Sequence, residues 1–162
     1  MSRSSRHRKI TGDFAERLVL YWLSKSGYEC VWVDHTGIDI IAAAKDGKLM
    51  GISVQCRSRR AGKGREGVNL HEFEKTRAAC VPFNCVPYSA IVVDRDDGVT
   101  CFLLSLDHLE KIAGGKKVRS WPMSDKFLRT SRDDPKIARF ELTGCANWRD
   151  GSKAIEAITA DT

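Results

Sequence analysis

Three sites along the chain carry polar groups where the surrounding sequence is apolar. Glu16 falls between the directions of Leu20 and Leu23 on a helical wheel, inside the apolar arc of its helix. Asp39 interrupts the run IDIIAAA at 38–44. Gln55 and Arg57 lie two residues apart in LMGISVQCR, so on a strand they share a face opposite Ile52, Val54 and Cys56. A charge in a core is costly unless it meets an opposite charge or a metal. These groups therefore either meet one another or meet a cation. Each also has a plainer use: Glu16 could pair with an arginine, Asp39 could cap the turn at Gly37, and Gln55 with Arg57 could form a ladder pair on an edge strand.

The elements that must position them are legible in outline. Residues 1–10 read as a basic arm, and Thr11 as the N-cap of a helix running to about Ser26, stopped by Gly27. Arg17 and Ser24 mark its solvent side. YECVWVD (28–34), IDIIAAA and LMGISVQCR read as three successive strands. The apolar run 38–44 suits a strand covered on both faces. A three-residue hairpin loop at Lys45, Asp46 and Gly47, with Gly47 left-handed, pairs Ala44 with Lys48 and sets Asp39 across from Ser53, diagonal to Gln55. A two-residue loop would move Asp39 to the Val54 face. Further on, NLHEFEKTRAAC (69–80) predicts a helix with Asn69 and Glu72 at capping-box spacing. Strands follow at 88–94 and 99–105, then a short helix capped by Ser105 and a late strand at 136–144. The stretch 115–135 reads as irregular, and 145–162 as a tail or weak helix. Helices and strands in this order predict an α/β sandwich, a central mixed sheet flanked by helices, with residues 11–144 as one domain.

GDFAERLVLYWLSKSGYECV, then GIDIIA, then ISVQCRS resembles the PD-(D/E)xK nuclease superfamily, in particular its restriction-endonuclease-like and Holliday-junction-resolvase-like branches. The resemblance spans roughly residues 11–105 and lies in the order and spacing of short motifs. It implies a restriction-endonuclease-like sandwich. It also implies a catalytic set in which Glu16 matches the helix glutamate, Asp39 the strand aspartate, Gln55 the usual glutamate and Arg57 the usual lysine. Asp39, Gln55 and, through water, Glu16 would then hold Mg²⁺ or Mn²⁺, with the Cys56 carbonyl as a further oxygen. Gln55 removes one negative charge, so the ion is expected to bind weakly. Arginine stays protonated where lysine can exchange a proton, so Arg57 can serve if the family cation acts electrostatically, and the activity is impaired if that cation must act as a base. The implied activity is metal-dependent hydrolysis of DNA phosphodiester bonds. The alternative is a catalytically impaired module of the same fold that binds nucleic acid, and a third reading is a structural subunit whose polar cluster fixes the fold. Resolvase-like relatives are often dimers, which makes a homodimer one possible assembly.

Composition agrees with a polyanionic partner. The chain has 162 residues and a formal net charge of +6. Arg59, Arg60, Lys63 and Arg65 follow the third strand on a loop with Gly62, Gly64 and Gly67, where a phosphate backbone could approach. Arg3, Arg6, Arg8 and Lys9 could form a second phosphate-gripping segment. Trp32, Trp121 and Trp148 could stack on bases, though core packing is the ordinary use of tryptophan. The six cysteines form no C-x-x-C pair and read as small core residues in a reducing compartment. The basic start has no apolar segment behind it, and no apolar run reaches membrane-spanning length, so a cytoplasmic protein is expected.

Overall fold

A computed structural model describes residues 5–58, 68–69, 73–95, 98–113, 120–121 and 129–143. Helix α1 (Ser5–Lys25) leads into strands β1 (Glu29–His35), β2 (Ile38–Ala43) and β3 (Leu49–Ser58). A short strand β4 (Val68–Asn69), helix α2 (Phe73–Cys80) and a 3-10 turn (Val81–Phe83) follow, then β5 (Val86–Asp94), β6 (Gly98–Ser105) and α3 (Leu106–Ile112). Strands β7 (Ser120–Trp121) and β8 (Ala138–Thr143) complete the described elements. The main sheet has six strands in the order β1-β2-β3-β5-β6-β8, and β4 pairs with β7 apart from it. Only β3 and β5 run parallel, which makes the sheet mixed as expected.

The sheet is covered on both faces. Ala15, Leu18, Val19 and Leu23 of α1 pack on Ile40, Ala42, Met50, Ile52, Ala90 and Val92. On the other face Phe73 of α2 and Leu106 and Leu109 of α3 meet Ile91, Val93, Phe102 and Leu104. Ala79 and Cys80 of α2 close over Ile38. Burying each large aliphatic side chain contributes about 1.5–3 kcal/mol, so both helical layers hold the sheet in place. The cysteines behave as small apolar residues: burial pushes the Cys56 thiol up to about 11 and the Cys80 thiol up to about 12, so both stay protonated at neutral pH.

Two boundaries differ from the sequence reading. Helix α1 starts at Ser5, so residues 5–10 extend the helix and Thr11 is an interior position, not its cap. Arginine and lysine are good helix formers, and a basic run that reads as an arm continues the helix here. Asn69 pairs with Ser120 in the β4–β7 ladder and the described part of α2 begins at Phe73, while Glu72, the other half of the expected capping box, lies outside the described residues. Ser105 does cap α3: its hydroxyl accepts from the His108 N–H at 3.3 Å. The segment 145–162 lies outside the described residues.

Candidate nuclease-like site

The hairpin between β2 and β3 sets the register on which the site depends. Ala44 donates its N–H to the Lys48 carbonyl at 2.9 Å, and Gly47 donates to the Ala44 carbonyl at 2.9 Å. The loop is thus the three residues Lys45, Asp46 and Gly47, with Gly47 left-handed at φ +80°. Pairing continues through Ala43–Leu49, Ala42–Met50 and Ile41–Gly51 to Ile40–Ile52. By that register Asp39 stands across from Ser53.

Beyond Ile40 the ladder gives way to a side chain. The Val54 N–H donates to Asp39 Oδ2 at 2.6 Å. A carboxylate therefore takes a main-chain donor of β3 at the residue directly before Gln55, and Asp39 is anchored between the two strands. Val54 and Cys56 pack toward the α1 layer, and Ser53 and Gln55 face α2 and α3. The alternation read from the sequence holds.

Gln55 reaches into a small cavity lined by Ser53, Ser89, Phe73, Thr76, Leu106 and Leu109. The cavity, about 10 Å³, holds about one water-sized occupant. Gln55 Oε1 is buried and has no hydrogen-bond partner among the described residues. Arg57 is exposed at the end of the same face, and its Nη1 donates to the Cys56 carbonyl at 2.8 Å. The carbonyl expected as a metal ligand is thus covered by the adjacent guanidinium.

Glu16 is placed elsewhere. Its Oε2 accepts from the Trp32 indole N–H at 2.8 Å, and the Arg17 guanidinium lies 4.2 Å from the centroid of the same ring. Glu16 belongs to the α1 layer and Gln55 to the α2–α3 side, while Asp39 is tied to the main chain of β3 at Val54. Among the described residues no group of three or more histidine, cysteine, aspartate and glutamate side chains could hold a metal ion. The sequence reading left Arg17 as a mere solvent marker. The available signal was the tryptophan in the middle of ECVWVDH, whose indole N–H needs an acceptor. Arg59, Arg60, Lys63 and Arg65 lie outside the described residues.

Six strands of mixed direction with a long helix on one face and two short ones on the other form a restriction-endonuclease-like fold. A solved structure that shares it is that of Archaeoglobus fulgidus Hjc, a Holliday junction resolvase from an archaeal hyperthermophile, with a TM-score of 0.50 and 17% identity over 74% of this chain and 88% of that one. No family model matches the chain, and no curated protein does. Among the described residues no helix is long and apolar enough to cross a membrane.

Proposed function

We propose that this protein binds DNA and hydrolyses its phosphodiester bonds with Mg²⁺ or Mn²⁺ held by Asp39 and Gln55. The observation that carries the reading is the buried, unpartnered Gln55 oxygen, one residue along β3 from the N–H that anchors Asp39. An orphaned buried acceptor costs about 1–3 kcal/mol, and a bound ion or water is the ordinary reason for one. An amide oxygen and a carboxylate on neighbouring strands are ligands that suit a hard divalent cation. Asp39 and Gln55 would hold the ion, which when bound would supply Lewis-acid polarisation of a phosphoryl group and a more acidic water. Asp39 orients that site from a fixed strand position, and Arg57 places a permanent positive charge where the phosphoryl oxygens gather negative charge.

Two contacts favour the second reading, a binding module of the same fold without catalysis. Arg57 covers the Cys56 carbonyl, and the Glu16 carboxylate is given to Trp32. Cleavage of supercoiled, branched and single-stranded DNA with Mg²⁺ or Mn²⁺ separates the two. We expect nicking by the wild type and a loss of roughly a hundredfold or more in Gln55→Leu. That variant should unfold at the same temperature or higher, because leucine removes the orphaned acceptor amid Phe73, Leu106 and Leu109. A wild type that binds DNA yet never cleaves it establishes the second reading, and absence of binding even at low salt defeats both.

The basic loop gives the DNA-binding half its own measurement. Neutralising Arg59, Arg60, Lys63 and Arg65 together is expected to weaken binding and to flatten the slope of log K against log salt by about 3–4, if each contacts a phosphate. An unchanged slope removes the loop from the interface.

A further inference from the structure

We propose that Trp32, held by Glu16 and Arg17, is a stacking platform for an unpaired nucleobase on the α1 side of the sheet, an assignment that rests on the DNA-binding reading above. β1 is an edge strand of the main sheet. Trp32 remains 41% exposed and belongs to none of the three buried apolar clusters. Its ring nevertheless has a fixed orientation, with the indole N–H on Glu16 at 2.8 Å and the Arg17 guanidinium 4.2 Å from its centroid. A large aromatic ring that contributes little to the core, yet is locked by a carboxylate and a cation, is preorganised for a planar partner.

Position and charge identify that partner. Trp32 pairs with Ile40, which packs under α1, so the platform stands on the α1 side of the sheet, on the strand next to the one that carries Asp39. On α1, Arg6, Lys9 and Arg17 are exposed and fall on one side of the helix, with Asp13 among them. A cationic helix face beside an exposed indole suits a strand with a phosphate backbone and bases free to leave the stack. A base in a continuous duplex cannot reach the ring face. A base at a flap, bulge, branch or single strand can. The bond to Trp32 also gives Glu16 a positioning role: it aims the indole. An acceptor oxygen is sufficient for that role, whereas a metal-water role needs the charge.

The test compares binding of a perfect duplex, the same duplex carrying one unpaired 2-aminopurine, and a single strand, by fluorescence anisotropy in chelator so that no cleavage intervenes. Trp32→Leu keeps apolar bulk and removes the ring; Trp32→Phe keeps a ring. We expect Trp32→Leu to lose roughly tenfold or more in affinity for the two substrates with unpaired bases, with little change for the duplex, and Trp32→Phe to retain most of it. Wild-type binding should quench 2-aminopurine emission, and Trp32→Leu should not. Glu16→Gln, which still offers an amide oxygen to the indole N–H, should match the wild type in quenching. Glu16→Leu should lose it in part. Equal losses on duplex and unpaired substrates, or no quenching by the wild type, overturn the platform while leaving DNA binding intact. A wild type that binds none of the three probes overturns the DNA-binding reading and the platform with it.

Discussion

Asp39→Asn is expected to lower metal-dependent DNA cleavage by about 10²–10³-fold, a loss of about 2.7–4 kcal/mol of transition-state stabilisation, while leaving the fold intact. On the proposed reading the carboxylate has two roles, and the two are separable. Its Oδ2 accepts the Val54 N–H at 2.6 Å, a bond that keeps β2 and β3 together where their ladder stops. Asparagine retains an oxygen acceptor for that N–H and removes the charge a divalent ion requires. Alanine removes both, leaves a strand N–H without its partner, and should cost a further 1–3 kcal/mol or so of stability. Thermal melts and nicking rates of the two variants therefore give different patterns: Asn loses activity alone, and Ala loses activity and stability. If Asn cleaves as well as the wild type, Asp39 is a structural acceptor and the catalytic reading fails.

The departures at this site have a common physical sense. On the proposed reading, an amide at Gln55 where the resembled motif has a glutamate lowers the negative charge that would draw a metal in. The fixed charge of Arg57, folded onto the Cys56 carbonyl, is what a partly neutralised site accommodates without strong repulsion. The guanidinium is exposed and touches the protein through a main-chain oxygen, so a phosphate of the proposed DNA partner would compete for it directly.

Legibility divided along local and long-range lines. The β2–β3 register was readable because it depends on neighbours: a turn with a glycine able to go left-handed, and a strict alternation on β3 that fails if the loop is shortened by one. The same alternation showed that Gln55 and Arg57 share a face. The cavity around Gln55 was not readable, because Phe73, Thr76, Leu106 and Leu109 reach it from two helices far along the chain. Glu16 was conspicuous as an acid in an apolar arc, but its partner lies on β1, and a single contact of that span leaves no periodic trace. The start of α1 was missed for a different reason: its first turns are basic and polar on all sides, without the apolar stripe that marks a helix against a core.

The turn that delivers Asp39 yields the largest expected effect on stability. Gly37 lies between β1 and β2, two residues before Asp39, and has φ +101°, where side-chain-bearing residues are strained. It also touches another element. A Cβ there would fall 2.7 Å from the Lys75 carbonyl oxygen and 2.9 Å from its carbon, both main-chain atoms of α2, and 3.2 Å from the Ala79 Cβ. Helix α2 cannot yield by rotating a side chain. It must shift, and with it Ala79 and Cys80, which cover Ile38. Gly37→Ala is therefore expected to destabilise the fold by about 2–4 kcal/mol, or to lower the melting temperature by roughly 5–15 °C. The proper comparison is Gly47→Ala in the next turn. Gly47 is also left-handed, at φ +80°, but a Cβ there meets nothing within 4 Å, so only the backbone strain of about 1–2 kcal/mol remains. Denaturant melts of the two variants measure the difference, which is the contribution of the close approach between the turn and α2. Cleavage by Gly37→Ala, assayed well below its melting temperature, should also fall, because a displaced turn moves the start of β2 and the carboxylate it carries. Equal destabilisation by the two substitutions would mean that the turn does not lean on α2, and that Asp39 owes its position to the hairpin alone.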